Sequence, residues 1–158
     1  MLLRLLRAVA LALCLVMPTI AVAKDDVIQV PEDDAEMNAA IASARSSLPT
    51  FWDKLAKPEP GEDGFALKVR IVDGGQSEHF WLVEVKRDGD KLSGRINNEP
   101  NLVGNVKEGD RYNFAEADIT DWMFMRNGKI VGNATMRPLL KQMAPEEAEV
   151  YRKMLETP

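Results

Sequence analysis

Trp122-Met123-Phe124-Met125-Arg126-Asn127-Gly128-Lys129-Ile130-Val131-Gly132-Asn133 decides the fold. Asn127-Gly128 separates two runs of strand-forming residues, and Asn-Gly is the preferred pair for a two-residue type I′ hairpin because both turn residues need positive φ. The run predicts two antiparallel strands. Met123 and Met125 are two apart and share a face, where flexible thioethers read as core filler before they read as soft copper ligands.

Upstream, the same period of two recurs. Phe65, Leu67, Val69 and Ile71 alternate with Lys68 and Arg70, which predicts a strand with one wet face. Phe80-Trp81-Leu82-Val83-Glu84-Val85 is apolar on both faces and reads as a central strand covered on each side, after a turn at Asp73-Gly74-Gly75. Asp88-Gly89-Asp90 turns into a third strand at Leu92 to Ile96, completing a meander. Leu102 to Val106 and Arg111 to Phe114 read as a further hairpin-like pair around Glu108-Gly109-Asp110.

Toward the N-terminus the period becomes helical. Met37, Ile41, Ala44 and Leu48 make one apolar stripe, with Asp33 and Glu36 at capping-box spacing and Pro49 as the stop. Thr50 to Leu55 suggests a separate short turn. The Pro- and Gly-rich residues 57–64 read as a loop. At the other end Thr135 is a candidate cap, and Pro145, Glu146-Glu147 and Arg152-Lys153 match helix start and stop preferences. The expected fold is α+β, with an N-terminal helix, an antiparallel sheet of about five to seven short strands and a C-terminal helix.

Residues 1–23 pair Arg4 and Arg7 with an apolar run and end in Ala21-Val22-Ala23, the pattern of a cleavable secretory signal cut after Ala23. The run is too short for a stable membrane span, and Leu13 stands where a lipidated Cys14 would need a small residue. A polar tether at 24–32 and a single α+β domain at 33–158 follow, in a periplasmic or secreted chain. Cleavage removes Cys14, the sole cysteine, so a disulfide and a thiol nucleophile are both excluded. It also removes two of the 20 basic residues and none of the 25 acidic ones, taking the formal net charge from −5 to −7. That charge is the opposite of a nucleic-acid binder's.

His79 is the single histidine, which rules out multi-histidine metal sites. No metal and no cofactor are expected. As a catalytic base His79 would need an acid such as Glu99; as structure it is a strand-start residue with its tip in solvent. Asn97-Asn98-Glu99-Pro100-Asn101 is the densest polar group beside a strand end. It reads as a recognition loop, or as a turn stiffened by Pro100.

Ile96-Asn97-Asn98-Glu99-Pro100, Asp118-Ile119-Thr120-Asp121-Trp122-Met123 and Gly128 to Leu140 together resemble the bacterial YegJ family, domain of unknown function 2314. Leu48-Pro49-Thr50-Phe51-Trp52, Gly64 to Val69 and His79-Phe80-Trp81-Leu82 are similar too, so the resemblance spans about residues 35–155 of the chain. It implies no activity and no catalytic residue.

The leading expectation is a non-enzymatic binding module of the cell envelope, monomeric, recognising a protein or a small polar ligand. Its candidate binding residues are Asn97, Asn98, Glu99, Asn101, Asp121, Asn133 and Arg137. One alternative is a hydrolase of an envelope component using His79 and Glu99. Another is an acidic inhibitor of a basic toxin.

Overall fold

The computed structural model describes residue 31 and residues 33–157; the expected signal at 1–23 and nearly all of the tether lie outside the described residues. Six antiparallel strands form one sheet: β1 (Glu62–Asp73), β2 (Gln76–Asp88), β3 (Lys91–Ile96), β4 (Arg111–Phe114), β5 (Ile119–Arg126) and β6 (Lys129–Gly132), in the order β4-β3-β2-β1-β5-β6. Helix α1 (Ala35–Ala56) precedes the sheet, and α2 (Met136–Leu139) and α3 (Pro145–Met154) follow it. The architecture is α+β.

Three glycine-marked hairpins close as two-residue loops, and in two of them both turn residues hold positive φ. Arg126 pairs with Lys129 across Asn127 and Gly128, whose φ values of 50° and 77° are those a type I′ turn demands. Asp73 pairs with Gln76 across Gly74-Gly75 in the same way.

Four local expectations are corrected. Pro49 does not stop α1, which runs unbroken to Ala56. A proline in a helix interior costs ~3 kcal/mol, but Phe51 beyond it is fully buried, and aromatic burial of that kind supplies a comparable gain. Asp34, not Asp33, caps the helix, its Oδ1 accepting from the Met37 amide at 2.7 Å. The strand β1 starts at Glu62, inside the segment read as loop. Residues 102–106 form no strand; β4 pairs with β3 instead, and Val103 and Val106 turn into the core from an irregular segment.

The main core lies on one face of the sheet. Ala44, Leu48 and Phe51 of α1 meet Leu67, Val69, Phe80, Leu82 and Phe124, and the Trp122 indole ties the layers by donating Nε1–H to the Ala44 carbonyl at 3.0 Å. A second cluster sits on the opposite face at the β5–β6 end, where Leu140, Ala148 and Leu155 cover Ile130, Met123 and Met125. The two methionines are core filler. The C-terminal cover stops short of β2, so that strand is not enclosed as its composition suggested: Phe80 and Leu82 are buried, while Trp81 and Val83 on the other face are half-buried.

Candidate functional site on the open face of the sheet

Strand alternation sends Lys68, Arg70, His79 and Trp81 to the face away from α1, because their neighbours Leu67, Val69, Phe80 and Leu82 take the core. Cross-strand pairing then sets Lys68 beside Trp81 and Arg70 beside His79. The face is framed by the C-terminal segment on one side and by β3 and β4 on the other.

Asp121 anchors it from beneath. It is 1% exposed, and its carboxylate accepts four hydrogen bonds from three residues: Oδ1 from the Trp122 and Ala134 amides, Oδ2 from the Thr135 amide at 2.8 Å and the Thr135 hydroxyl at 2.7 Å. That hydroxyl also accepts from Lys68 Nζ at 2.7 Å. Thr135 is therefore a relay between a buried acid and a cation, and makes no side-chain cap for α2. Lys68 Nζ lies 4.8 Å from the Trp81 ring centroid, a cation–π arrangement worth ~1–2 kcal/mol when desolvated. Burial lowers the Lys68 amine below its ordinary pKa, and Asp121 opposes that shift.

His79 occupies the next position along β2. Its outline is exposed, yet its Nδ1 edge turns inward to lie 2.9 Å from the Thr120 hydroxyl. Thr120 Oγ1 donates to the Lys68 carbonyl at 3.3 Å, so its remaining capacity is as an acceptor. The bonding pattern thus puts a proton on Nδ1 and leaves Nε2 as an acceptor. Desolvation of the inward edge lowers the imidazole pKa to about 4, with Lys68, Arg70 and Arg45 adding repulsion, so the ring is neutral at neutral pH.

The Asn97–Asn101 loop is built largely for structure. The Asn97 amide donates to the Trp81 carbonyl at 2.9 Å, and Asn98 Oδ1 accepts from the Trp81 amide at 2.9 Å, so an asparagine side chain completes the ladder where β3 ends. Glu78, 5% exposed, accepts from the amides of Asn101, Leu102 and Val103. Asn97 and Glu99 remain exposed, and among the described residues Glu99 has no hydrogen bond or ion pair.

The predicted residues do not form one constellation. Asp121 and Asn133 come together, Asn133 holding a φ of 51° and donating its amide to the Trp122 carbonyl; its Oδ1 is buried with no hydrogen-bond partner among the described residues. Arg137 lies apart, its Nη2 donating to the Glu156 carbonyl at 3.1 Å at the rim of a cleft of about 720 Å³ between α1, β6 and the C-terminal residues. His79 and Glu99 share no contact. Lys68, Arg70, Trp81, Thr120 and Thr135 were not among the predicted site residues; the Lys68/Arg70 alternation in β1 was the readable signal for the first two. Among the described residues no group of three or more His, Cys, Asp or Glu side chains is placed to hold a metal ion, and no helix is long and apolar enough to cross a membrane.

Comparison with known proteins points to one family. The chain is 38% identical over 123 residues to "Uncharacterized protein YegJ" of Escherichia coli (strain K12), covering 78% of this chain and 79% of that protein. It is 33% identical over 126 residues to a "Putative ankyrin repeat protein" of Neisseria meningitidis serogroup B, covering 75% of this chain but 50% of that longer protein. No solved structure matches. Residues 34–156, which hold the whole sheet, its helices and the Asp121 network, match the family described as "Uncharacterized protein conserved in bacteria", and the chain therefore belongs to the DUF2314 family of YegJ-like bacterial proteins.

Proposed function

We propose that this chain is an exported, non-enzymatic binding module of the bacterial cell envelope, and that it binds through the open half of its sheet. One observation carries the reading: a fully bonded carboxylate, Asp121, holds Lys68 against Trp81 on a face that neither α1 nor the C-terminal helices cover. Fixing a cation and an aromatic ring before a ligand arrives reduces the ordering cost of binding. Export rests on the 1–23 pattern. The recognition surface moves from the Asn97–Asn101 loop to the sheet beside it, because Asn98 and the Asn101 amide are already engaged.

Two measurements test the reading. Mass spectrometry of the chain recovered from the periplasm should find Lys24 as its first residue; an uncut chain retained in the cytoplasm would refute export. A photo-crosslinking residue at position 83, beside Trp81 on the same face, compared with one at Lys57 beyond the end of α1, should yield adducts in envelope preparations. Equal adducts from both positions would refute the face.

The hydrolase alternative has one geometric support, the 2.9 Å approach of His79 Nδ1 to the Thr120 hydroxyl. Against it, Thr120 is 3% exposed and its proton is directed to the Lys68 carbonyl, so the hydroxyl is placed to position the ring and not to attack. Turnover of envelope-derived glycan or peptide that disappears in Thr120→Val while folding is retained would favour it.

A further inference from the structure

The cleft of about 720 Å³ between α1 and β6 lies apart from the open face. One wall is a stripe of α1: Glu36, Ala40, Ser43 and Ser47 recur at helical spacing and share a side over about 16 Å of helix. Val131, Gly132 and Ala134 line its floor, and Arg137 and Pro138 stand on the other wall. The space stays open because most residues facing it are small. Gly132 cannot be enlarged, since a Cβ there meets the Trp122 carbonyl and ring. Small-molecule sites occupy roughly 300–1,000 Å³, and this volume falls among them.

Charge decides what kind of molecule fits. Four charged side chains line the cleft, two acids and two bases. Lys141 Nζ meets Glu36 at 2.6 Å, and the Glu156 carboxylate turns to Arg126 at 3.2 Å. Arg137 forms no ion pair among the described residues; its Nη2 donates to the Glu156 main-chain carbonyl, and its other N–H groups are uncommitted. The rim therefore holds one unmatched positive charge. The middle offers few polar partners: Ala40, Val131, Ala134 and Pro138 are half-buried apolar groups, and the Ser47 hydroxyl is taken up by the Ser43 and Ala44 carbonyls and the Trp122 indole.

We propose that this cleft binds a small aliphatic monocarboxylate, its chain lying along Ala40 and Val131 and its carboxylate on Arg137. The site is separate from the open face and goes beyond the binding-module reading. A single unmatched guanidinium suits a single carboxylate. A phosphate dianion or a polyanion would bring surplus negative charge against Glu36, Glu156 and a chain of net charge −5. A neutral alcohol of the same length keeps the apolar contact and loses the ion pair.

The probe is octanoate, titrated into the purified full chain and followed by two-dimensional NMR, with 1-octanol, octylamine and octyl phosphate as controls of matched length and a Leu-terminated tetrapeptide as the polypeptide arm. Octanoate should saturate, shift the amides of Ala40, Val131 and Ala134, and bind at least ~5-fold more tightly than 1-octanol, the scale of one partly exposed ion pair. Arg137→Gln should bring octanoate down to the octanol level and leave octanol unchanged. Ala40→Trp, which fills the cleft from the opposite wall, should abolish both. Thermal melting confirms that each variant folds, and the two act from different elements, so one serves should the other unfold. Val83→Ala, on the open face, should change nothing. Every form carries the same N-terminal residues, so differences between variants report the cleft. Absence of saturable octanoate binding, equal affinity for octanol, preference for octyl phosphate or the tetrapeptide, or indifference of the folded Arg137 or Ala40 variant overturns the proposal. Octanoate binding that disappears in Val83→Ala would place the ligand on the open face and overturn it as well.

Discussion

Lys68 and Asp121 are direct partners across the β1–β5 pairing, and the Thr135 hydroxyl joins them by accepting from one and donating to the other. A half-buried strand lysine is thereby tied to a buried carboxylate and to the residue that begins the C-terminal segment. Asp121→Asn puts an amide NH₂ where either the Trp122 and Ala134 amides or the Thr135 amide and hydroxyl now donate. It should cost about 3 kcal/mol in urea unfolding, the range for breaking a buried, multiply bonded charge. Lys68→Met should cost less, and the double variant should lose less than the two single losses combined, since the sites share a partner. Additive losses would show that Thr135 does not couple them.

Glu78 should control the loop beyond β3. Glu78→Gln keeps the shape but weakens acceptance from three amides, so hydrogen exchange at Asn101, Leu102 and Val103 should accelerate and stability should fall by ~1–3 kcal/mol. Unchanged exchange at those amides would show that Val103 burial alone holds the loop.

His79 should titrate near pH 4 by NMR. Its folded pKa lies below the unfolded value of about 6.5, so the unfolded chain binds the proton first, and stability should fall as pH drops from about 6.5 toward 4 and be unaffected above that window. Arg70→Gln removes one opposing charge and should move the His79 value upward. A value that stays put in Arg70→Gln would leave burial, with the Lys68 and Arg45 charges, as the cause.

Gly132 has a φ of 82°, and a Cβ there would collide with the Trp122 carbonyl and ring. Gly132→Ala combines a strained backbone with a contact that must be relieved, so a loss of at least ~2 kcal/mol and a disturbed Trp122 fluorescence are expected. Pro49→Ala should do the reverse. It restores an amide to the middle of α1 without touching Phe51, and the urea midpoint should rise by an amount worth up to ~3 kcal/mol. A fall would mean that Pro49 contributes packing that its exposure does not suggest.

What was legible in the chain followed local chemistry. Asn127-Gly128 and Gly74-Gly75 specify turns by backbone freedom alone, and the Leu67/Val69/Ile71 alternation names its core face without help from distant residues. Pro49 was misread because the energy that holds the helix through it comes from Phe51 packing on Trp122 and Phe65, residues far along the chain. The Leu102–Val106 pair was misread because apolar residues in irregular chain give the same short pattern as a strand. The Asp121–Thr135–Lys68 relay was invisible as a unit: each residue is ordinary alone, and 67 positions separate Lys68 from Thr135. Asp121 reads from the sequence only as a polar candidate and lies bonded beside Lys68, while the Asn98 side chain also completes the backbone pairing at the end of β3.

The strand order also sets a sequence of events for assembly. From β1 to β4 each strand lies beside its predecessor, so this half of the sheet closes through short loops, whereas β5 must return past three strands to reach β1. Long-range closure carries the larger entropic delay. The Asp121 carboxylate arrives only with that last return, and Lys68 waits on β1 until it does. The open face is therefore complete only when the longest-range pairing of the sheet and the chain through Thr135 are both in place, so the Lys68–Trp81 arrangement depends on nearly the whole length of the domain.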